Sequence, residues 1–334
     1  MKKLITVTTV LCLLTFLLFP LYSGGQAEAK AKPVKLVGAS MLPTEHIYYR
    51  AMMKFGDLLK KHYKGPLEVD VHHSGDLGSE KDYFEFMMQG ISVDFAFIAP
   101  SWIATWSKKA AFMDTPFLWR DYNHKVKALE SGVFKSLEKG LIAKGVRILG
   151  YGGGGTRNMI LRKPVKTMND LPKVLMRVMG SPIQAKVFNA TGVQATPMAY
   201  AEVYNAIKTG VVDGLENEAA AVVTMKFYEV APYIVLTRHT LTIRPFCFSE
   251  KRLQSFPKDL RNAILKAGAE AGKWARDTEA SEDWAILQKM SGEGKIQLIE
   301  FDNAEMIKRA TPVVEAYAKE LGVEDILRNL RNIK

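Results

Sequence analysis

Three arginines stand in apolar runs where an unpaired charge would be costly. Arg177 interrupts Val174-Leu175-Met176-Arg177-Val178-Met179. Arg157 follows the glycines Gly152 to Gly155 and leads into Asn158-Met159-Ile160-Leu161, and Arg244 lies in Thr242-Ile243-Arg244-Pro245. Each needs an anionic partner. Glu202, Asp213 or Glu216 could supply one from within the chain, and the arginines would then be structural. Otherwise a small acid from outside can serve, gripped through the two parallel hydrogen bonds that a planar guanidinium offers a carboxylate and a lysine cannot copy. Should all three face one cleft, the guest carries more than one negative charge or a strong oxyanion. A dicarboxylate, a sulfonate or a phosphate qualifies; a neutral sugar does not.

Other chemistries find little support. His72, His73 and Asp76 form the only dense ligand-like cluster, but adjacent strand residues point to opposite faces, and neither His-Glu-x-x-His nor Cys-x-x-Cys occurs. No metal and no cofactor is expected. No Gly-x-Ser-x-Gly is present, and the six histidines form no nucleophile pattern with Cys247. No catalytic residue is therefore assigned. Gly152 to Gly155 lack the Gly-Lys-Ser/Thr ending of a phosphate loop. They read as a hinge or crossover, or as a place where backbone approaches a ligand.

The elements that must position these arginines alternate. Val34–Ala39 reads as a short buried strand, followed by a helix from about Glu45 with Tyr48, Met52, Phe55 and Leu59 on one face. Leu67–Val71 and Phe95–Ile98 are strands flanking a helix marked by Tyr83, Phe84, Met87 and Met88, and Arg147–Tyr151 closes this half. Beyond the glycines come strands at Val174–Val178, near Val193 and around Gly214–Glu216, with helices from Ser181 and at Ala201–Lys208. Tyr233–Leu236 and Leu241–Phe248 are further strands. This alternation predicts α/β layering with largely parallel pairing. Lys258 to about Met290 carries a long helical pattern with Leu260, Ile264, Ala271, Trp274 and Trp284 as apolar members. Without sustained heptads, it suits a bracing helix across two domains better than a coiled coil.

The N-terminus reads as an export signal. Lys2 and Lys3 precede the apolar stretch Leu4 to Leu21, and Ala27-Glu28-Ala29 gives the cleavage pattern, placing the cut after Ala29 and making the mature protein an exported one; an uncleaved membrane anchor is the alternative. Removing residues 1–29 takes Cys12 with it and leaves Cys247 alone, so no internal disulfide is expected. Without staples the remainder must bury a full core, which suggests two domains. The net charge of +11 is scattered rather than gathered into a basic and aromatic stripe, which argues against nucleic acid and favours anionic solutes or membrane surfaces.

The chain resembles the substrate-binding proteins of tripartite ATP-independent periplasmic (TRAP) transporters, in the dicarboxylate-binding-protein superfamily. The resemblance is carried by Gly75-Asp76-Leu77-Gly78, Gly155-Thr156-Arg157, and Lys166-Thr167-Met168-Asn169-Asp170-Leu171 leading to Arg177-Val178. It continues through Thr196-Pro197-Met198, Glu202-Val203-Tyr204, Gly210-Val211-Val212-Asp213-Gly214-Leu215-Glu216-Asn217 and Lys226-Phe227-Tyr228-Glu229-Val230. It implies a type II periplasmic-binding fold of two α/β lobes with hinge strands and a long bracing helix. Residues 30–154 and 243–282 would form lobe I, and 155–242 and 283–334 lobe II. It also implies a small organic anion held in the cleft and delivered to membrane permease subunits, the receptor itself being a monomer.

On the same resemblance, Arg177 grips the ligand carboxylate, Arg157 and Asn217 add polar contacts, Tyr200 lines the pocket, and Arg244 and Glu80 can reach the ligand. The chain departs from the family pattern at Lys173, Met179 and Glu218. Ala99-Pro100-Ser101-Trp102 stands where sialic-acid binders carry a charged pair, so their polyhydroxylated ligand is not expected. Trp102 suggests a flatter or smaller solute stacked on the indole, unless it packs with Trp106 in the core. Two rival functions remain: a receptor serving a sensor, and an enzyme on the same scaffold, which would need a catalytic constellation the sequence does not display.

Overall fold

The computed structural model describes residues 32–334, so the proposed export signal and its cleavage site lie outside the described residues. Among the described residues, eleven strands fall into two sheets. The first contains β1 (Val34–Ala39), β2 (Leu67–His72), β3 (Phe95–Phe97), β4 (Val146–Gly152) and β10 (Arg244–Ser249), in the order β2-β1-β3-β10-β4. The second contains β5 (Thr156–Leu161), β6 (Leu175–Val178), β7 (Gln194–Pro197), β8 (Gly214–Asn217), β9 (Tyr233–Leu241) and β11 (Gln297–Glu300), in the order β11-β9-β5-β8-β6-β7. Each sheet is the floor of one lobe.

Pairing is less uniformly parallel than the alternation of elements suggests. β10 runs antiparallel to β3 and β4, and β5 runs antiparallel to β8 and β9. The cause is the route of the chain. It leaves the first sheet along β4, crosses into the second as β5, returns along β9 and re-enters the first as β10. Two antiparallel pairs, β4/β10 and β5/β9, therefore meet end to end at the crossing.

The glycine run is that crossing, joining β4 to β5. Gly153 sits at φ +86°, and a Cβ there would run into the Thr242 carbonyl of the returning strand. A Cβ on Gly154 would collide with the Arg276 carbonyl of the helix behind. Close approach of three backbones, rather than phosphate binding, explains these residues.

Helices form where apolar spacing and caps agree. Ile47–His62 buries Ile47, Tyr48, Ala51, Met52, Phe55 and Leu59, is capped by His46, and carries Lys60, Lys61 and His62 at its negative end. The long helix Lys258–Gly292 lies across both lobes. Its first half packs Leu260, Ile264, Ala267 and Ala271 into the core of the first sheet, while Leu287 and Met290 join the core of the second. One of its expected apolar members behaves otherwise: Trp284 is 45% exposed, whereas Trp274 is partly buried against the core of the first sheet, with the Arg50 guanidinium 5.7 Å from its ring centroid. The last helices, Ala304–Leu321 and Glu324–Asn332, set Ala310, Val314, Tyr317 and Leu330 into a core shared with Trp119 and Phe134 on one side and Ile183 and Val187 on the other.

Candidate functional site

All seven residues singled out from the sequence line one cavity, with ≈ 390 Å³ of empty space. The first lobe contributes Glu80, Trp102 and Arg244; the second contributes Arg157, Arg177, Tyr200 and Asn217. Leu42, His46, Met179 and Glu218 complete the wall. A second cavity of ≈ 830 Å³ adjoins it and shares Glu80, Trp102 and Tyr200.

Arg177 sits on β6 between β7 and β8, so its backbone is fixed on both sides. Only 1% of it is exposed, and no carboxylate lies within ion-pair distance of it among the described residues. Nε donates to the Met198 carbonyl at 3.0 Å, the guanidinium lies 5.4 Å from the Tyr200 ring centroid, and Nη2 is buried without a partner. Burial lowers its pKa to about 10, so it remains charged at neutral pH.

Arg244 is the matching cation from the first lobe. Its Nε and Nη1 are buried and unpartnered, and its guanidinium lies 5.5 Å from the Tyr48 ring centroid. Burial works to lower its pKa, but Tyr48, Glu80 and Glu218 more than offset this and hold it above the ordinary value.

Arg157 departs from the expectation that all three arginines await a guest. Its Nε and Nη2 fork onto Glu216 at 2.6 and 2.8 Å, and Nη1 donates to Glu218 at 2.5 Å. Glu216 is one of the internal partners the sequence offers; Glu218 is an unexpected one. Although burial opposes ionisation of Glu216, Arg157 draws its pKa down to about 2. Glu216 is also held by His239 Nε2 at 3.1 Å, whose Nδ1 meets Thr237 Oγ1 at 2.9 Å. With its fork spent inside the protein, Arg157 is a wall and not an open clamp. All three arginines do face one cavity, but among them only Arg177 and Arg244 lack an ion pair with a carboxylate among the described residues.

The remaining residues are held as follows. Asn217, on β8, donates from Nδ2 to the Tyr200 hydroxyl at 3.1 Å, while its Oδ1 accepts from the Glu218 amide. Glu80 begins the helix Glu80–Gln89 behind the Ser79–Asp82 capping box and accepts from the Ala99 amide at 2.6 Å. Its pKa is raised by burial. Trp106 stacks on Phe84, and both tryptophans are partly buried against the same core cluster. Trp102 stands at the cavity wall against Gly180, with Lys81 Nζ 5.3 Å from its ring centroid.

Two wall residues are not legible as site residues from the sequence. Glu218 stands out there only as a departure from a family pattern, and His46 not at all. A lone histidine before a helix has no spacing partner to betray it. Among the described residues, no group of three or more His, Cys, Asp or Glu side chains is placed to hold a metal ion.

A family model for DctP, bacterial extracellular solute-binding protein family 7, matches residues 38–320. The chain belongs to this family. A solute-binding protein of Sulfitobacter sp. strain NAS-14.1 is 44% identical over 307 residues, covering 91% of this chain and 93% of that one. The crystal structure of a TRAP periplasmic solute-binding protein from Sulfitobacter sp. NAS-14.1 with bound α-D-taluronate superposes with a TM-score of 0.87 at 44% identity, covering 89% and 97% of the two chains. The sugar acid binding protein DctPAm of Advenella mimigardefordensis in complex with galactonate gives 0.85 at 26% identity, covering 91% and 99%. The two-lobed α/β architecture is thus that of the TRAP solute-binding proteins, and this chain is one of them.

Proposed function

We propose that the protein is a periplasmic receptor that captures a hydroxylated organic acid, with sugar acids of the uronate kind as the first candidates, and hands it to a TRAP-type membrane permease. The observation that carries this reading is Arg177: a charged guanidinium, buried in an interlobe cavity, with no carboxylate within ion-pair distance among the described residues. A ligand carboxylate supplies what it lacks. Arg244 faces the same space from the other lobe, so one bound acid touches both lobes and favours their closed arrangement through its differential affinity. Closure also removes water and strengthens each contact.

The flat-solute expectation gives way here. Carboxylates and an amide on the wall suit hydroxyl groups, and relatives that share the fold hold taluronate and galactonate. Lobe boundaries near residues 154, 243 and 282 fit rotation about the β4–β5 and β9–β10 crossings. We read the protein as non-catalytic because the family it belongs to consists of solute-binding proteins. A thermal-shift screen of uronates, aldonates, dicarboxylates and sulfonates tests the proposal. A ligand that binds only the folded state raises the melting temperature. A response to sugar acids is expected; a response confined to sulfonates or dicarboxylates would overturn the choice.

A further inference from the structure

His46 caps the helix Ile47–His62, its Nδ1 accepting from the Tyr48 amide at 3.3 Å. That bond leaves the ring proton on Nε2, which lies buried in the cavity wall with no partner. Burial lowers the His46 pKa to about 4, so the ring is a neutral donor at the pH of the periplasm. Glu218 stands in the same wall. One oxygen is held by Arg157 Nη1 at 2.5 Å and Thr242 Oγ1 at 3.3 Å; the other has no hydrogen-bond partner among the described residues. The cavity therefore presents an N–H that wants an acceptor and a carboxylate oxygen that wants a donor.

A hydroxyl is the common ligand group that answers both, since it accepts and donates at once. A second carboxylate would satisfy His46 but be repelled by Glu218. A methylene would leave both polar groups dry and unpaired, which is the strongest way a site rejects an analogue. The charges agree. Arg157 shared between Glu216 and Glu218 leaves one net negative charge, Arg177 with Arg244 brings two positive ones, and the Glu80 carboxyl on the same wall leaves no surplus cation for a second ligand carboxylate.

We propose that His46 and Glu218 form a hydroxyl-reading subsite that makes this receptor select polyhydroxylated monocarboxylates over dicarboxylates. The proposal rests on the sugar-acid reading above and names the residues that enforce it. Recognition runs from Nε2–H of His46 to a ligand hydroxyl oxygen, and from that hydroxyl to the Glu218 carboxylate.

The test is calorimetric titration of D-galacturonate, D-glucuronate and succinate into wild type, His46→Asn and Glu218→Gln. Asparagine keeps an oxygen for the Tyr48 amide and hence the cap, but has no distal N–H. The expected result is a roughly tenfold loss of uronate affinity in His46→Asn with an unchanged ligand-free melting temperature. In Glu218→Gln the preference for uronate over succinate should shrink by roughly a hundredfold, since an attraction is lost and a repulsion removed together. Wild-type uronate affinity in folded variants overturns the subsite, and if succinate binds to none of them the uronate data alone decide. Should Glu218→Gln not fold, the His46→Asn titration decides by itself. A wild type that binds Arg177-dependently but prefers succinate overturns the subsite alone. A wild type that binds no sugar acid overturns the functional reading and the subsite with it.

Discussion

Replacing Arg177 with methionine separates two quantities of opposite sign. On the ligand side, the variant removes one partner of a buried, hydrogen-bonded ion pair. Such losses run to about 3–5 kcal/mol, or roughly a hundredfold to several thousandfold in Kd. On the protein side, the same change should not destabilise the ligand-free fold. The depressed pKa of about 10 means that the folded protein holds this proton less tightly than the unfolded chain does. For a cation, the resulting penalty is present at every pH below about 10 and fades as pH rises through that value; at neutral pH it amounts to about 3 kcal/mol. Methionine keeps most of the stem's volume and forfeits one bond, Nε to the Met198 carbonyl, worth about 1 kcal/mol. The balance favours the variant by about 1–2 kcal/mol, a melting point a few °C higher (roughly 2–4 °C per kcal/mol). Arg177→Lys restores charge but not the fork, and should bind poorly as well. Calorimetry with the best uronate, and ligand-free melting curves, measure the two sides separately. Near-native affinity in Arg177→Met would refute the clamp. A ligand-free melting point several degrees lower would show that Arg177 has an internal partner, and the argument would fail at its first step.

Two further predictions concern the hinge. Burial pushes the Glu279 carboxyl up to about 8, so the folded state binds this proton more tightly than the unfolded chain. The stability it contributes is present at low pH and is lost as pH rises through about 8, at up to about 1.4 kcal/mol per pH unit. Glu279→Gln keeps an acceptor for the Gly154 amide, so urea midpoints at pH 5, 6, 7 and 8 should slope less than those of wild type; parallel slopes would rule out this assignment. Lys125→Met strips the donor shared by the Gly153 and Thr242 carbonyls and should cost about 2–4 kcal/mol in urea denaturation. An unchanged midpoint would show that those carbonyls are satisfied otherwise.

Legibility in the sequence followed the physics of each signal. Apolar spacing at three and four residues located Ile47–His62 and Lys258–Gly292, because a helix must bury one stripe and the stripe is local. Most strands were found, though not β11, and the direction of β10 and β5 was not, since pairing direction depends on where the chain goes next. Trp284 was misjudged because hydrophobicity says what a residue prefers and not which side of a long helix the lobes cover. The candidate site came through clearly where a charge interrupted an apolar run, as at Arg157, Arg177 and Arg244. Which of these is spent internally was hidden, because Glu216 and Glu218 reach Arg157 only when β8 lies antiparallel beside β5. His46 was invisible for a simpler reason. Its local duty is to cap a helix, and its free nitrogen has meaning only once the opposite lobe closes the wall.

The crossing that joins the lobes is held by side chains rather than by a continuous sheet. Glu279 accepts from the Gly154 amide at 2.8 Å, and Asp283, one turn on, accepts from the Thr156 and Ala219 amides at 2.9 and 3.1 Å. From the other side Lys125 donates to the Gly153 and Thr242 carbonyls, one on each crossing strand. Backbone groups that would be orphaned where two sheets part company are thus satisfied by residues on Tyr122–Ser131 and Lys258–Gly292. Such bonds can pivot, whereas ladder bonds of a shared sheet would have to break for the lobes to turn. Asp283 also links the hinge to the cavity wall, because the Ala219 amide it holds adjoins Glu218, and Glu218 holds Arg157. A ligand hydroxyl on Glu218 and a carboxylate on Arg177 would pull on the same lobe whose hinge contact runs through Ala219. Glu218 of the site adjoins Ala219 and bonds Thr242 of the hinge, so filling the first would bias the second without any longer chain of transmission.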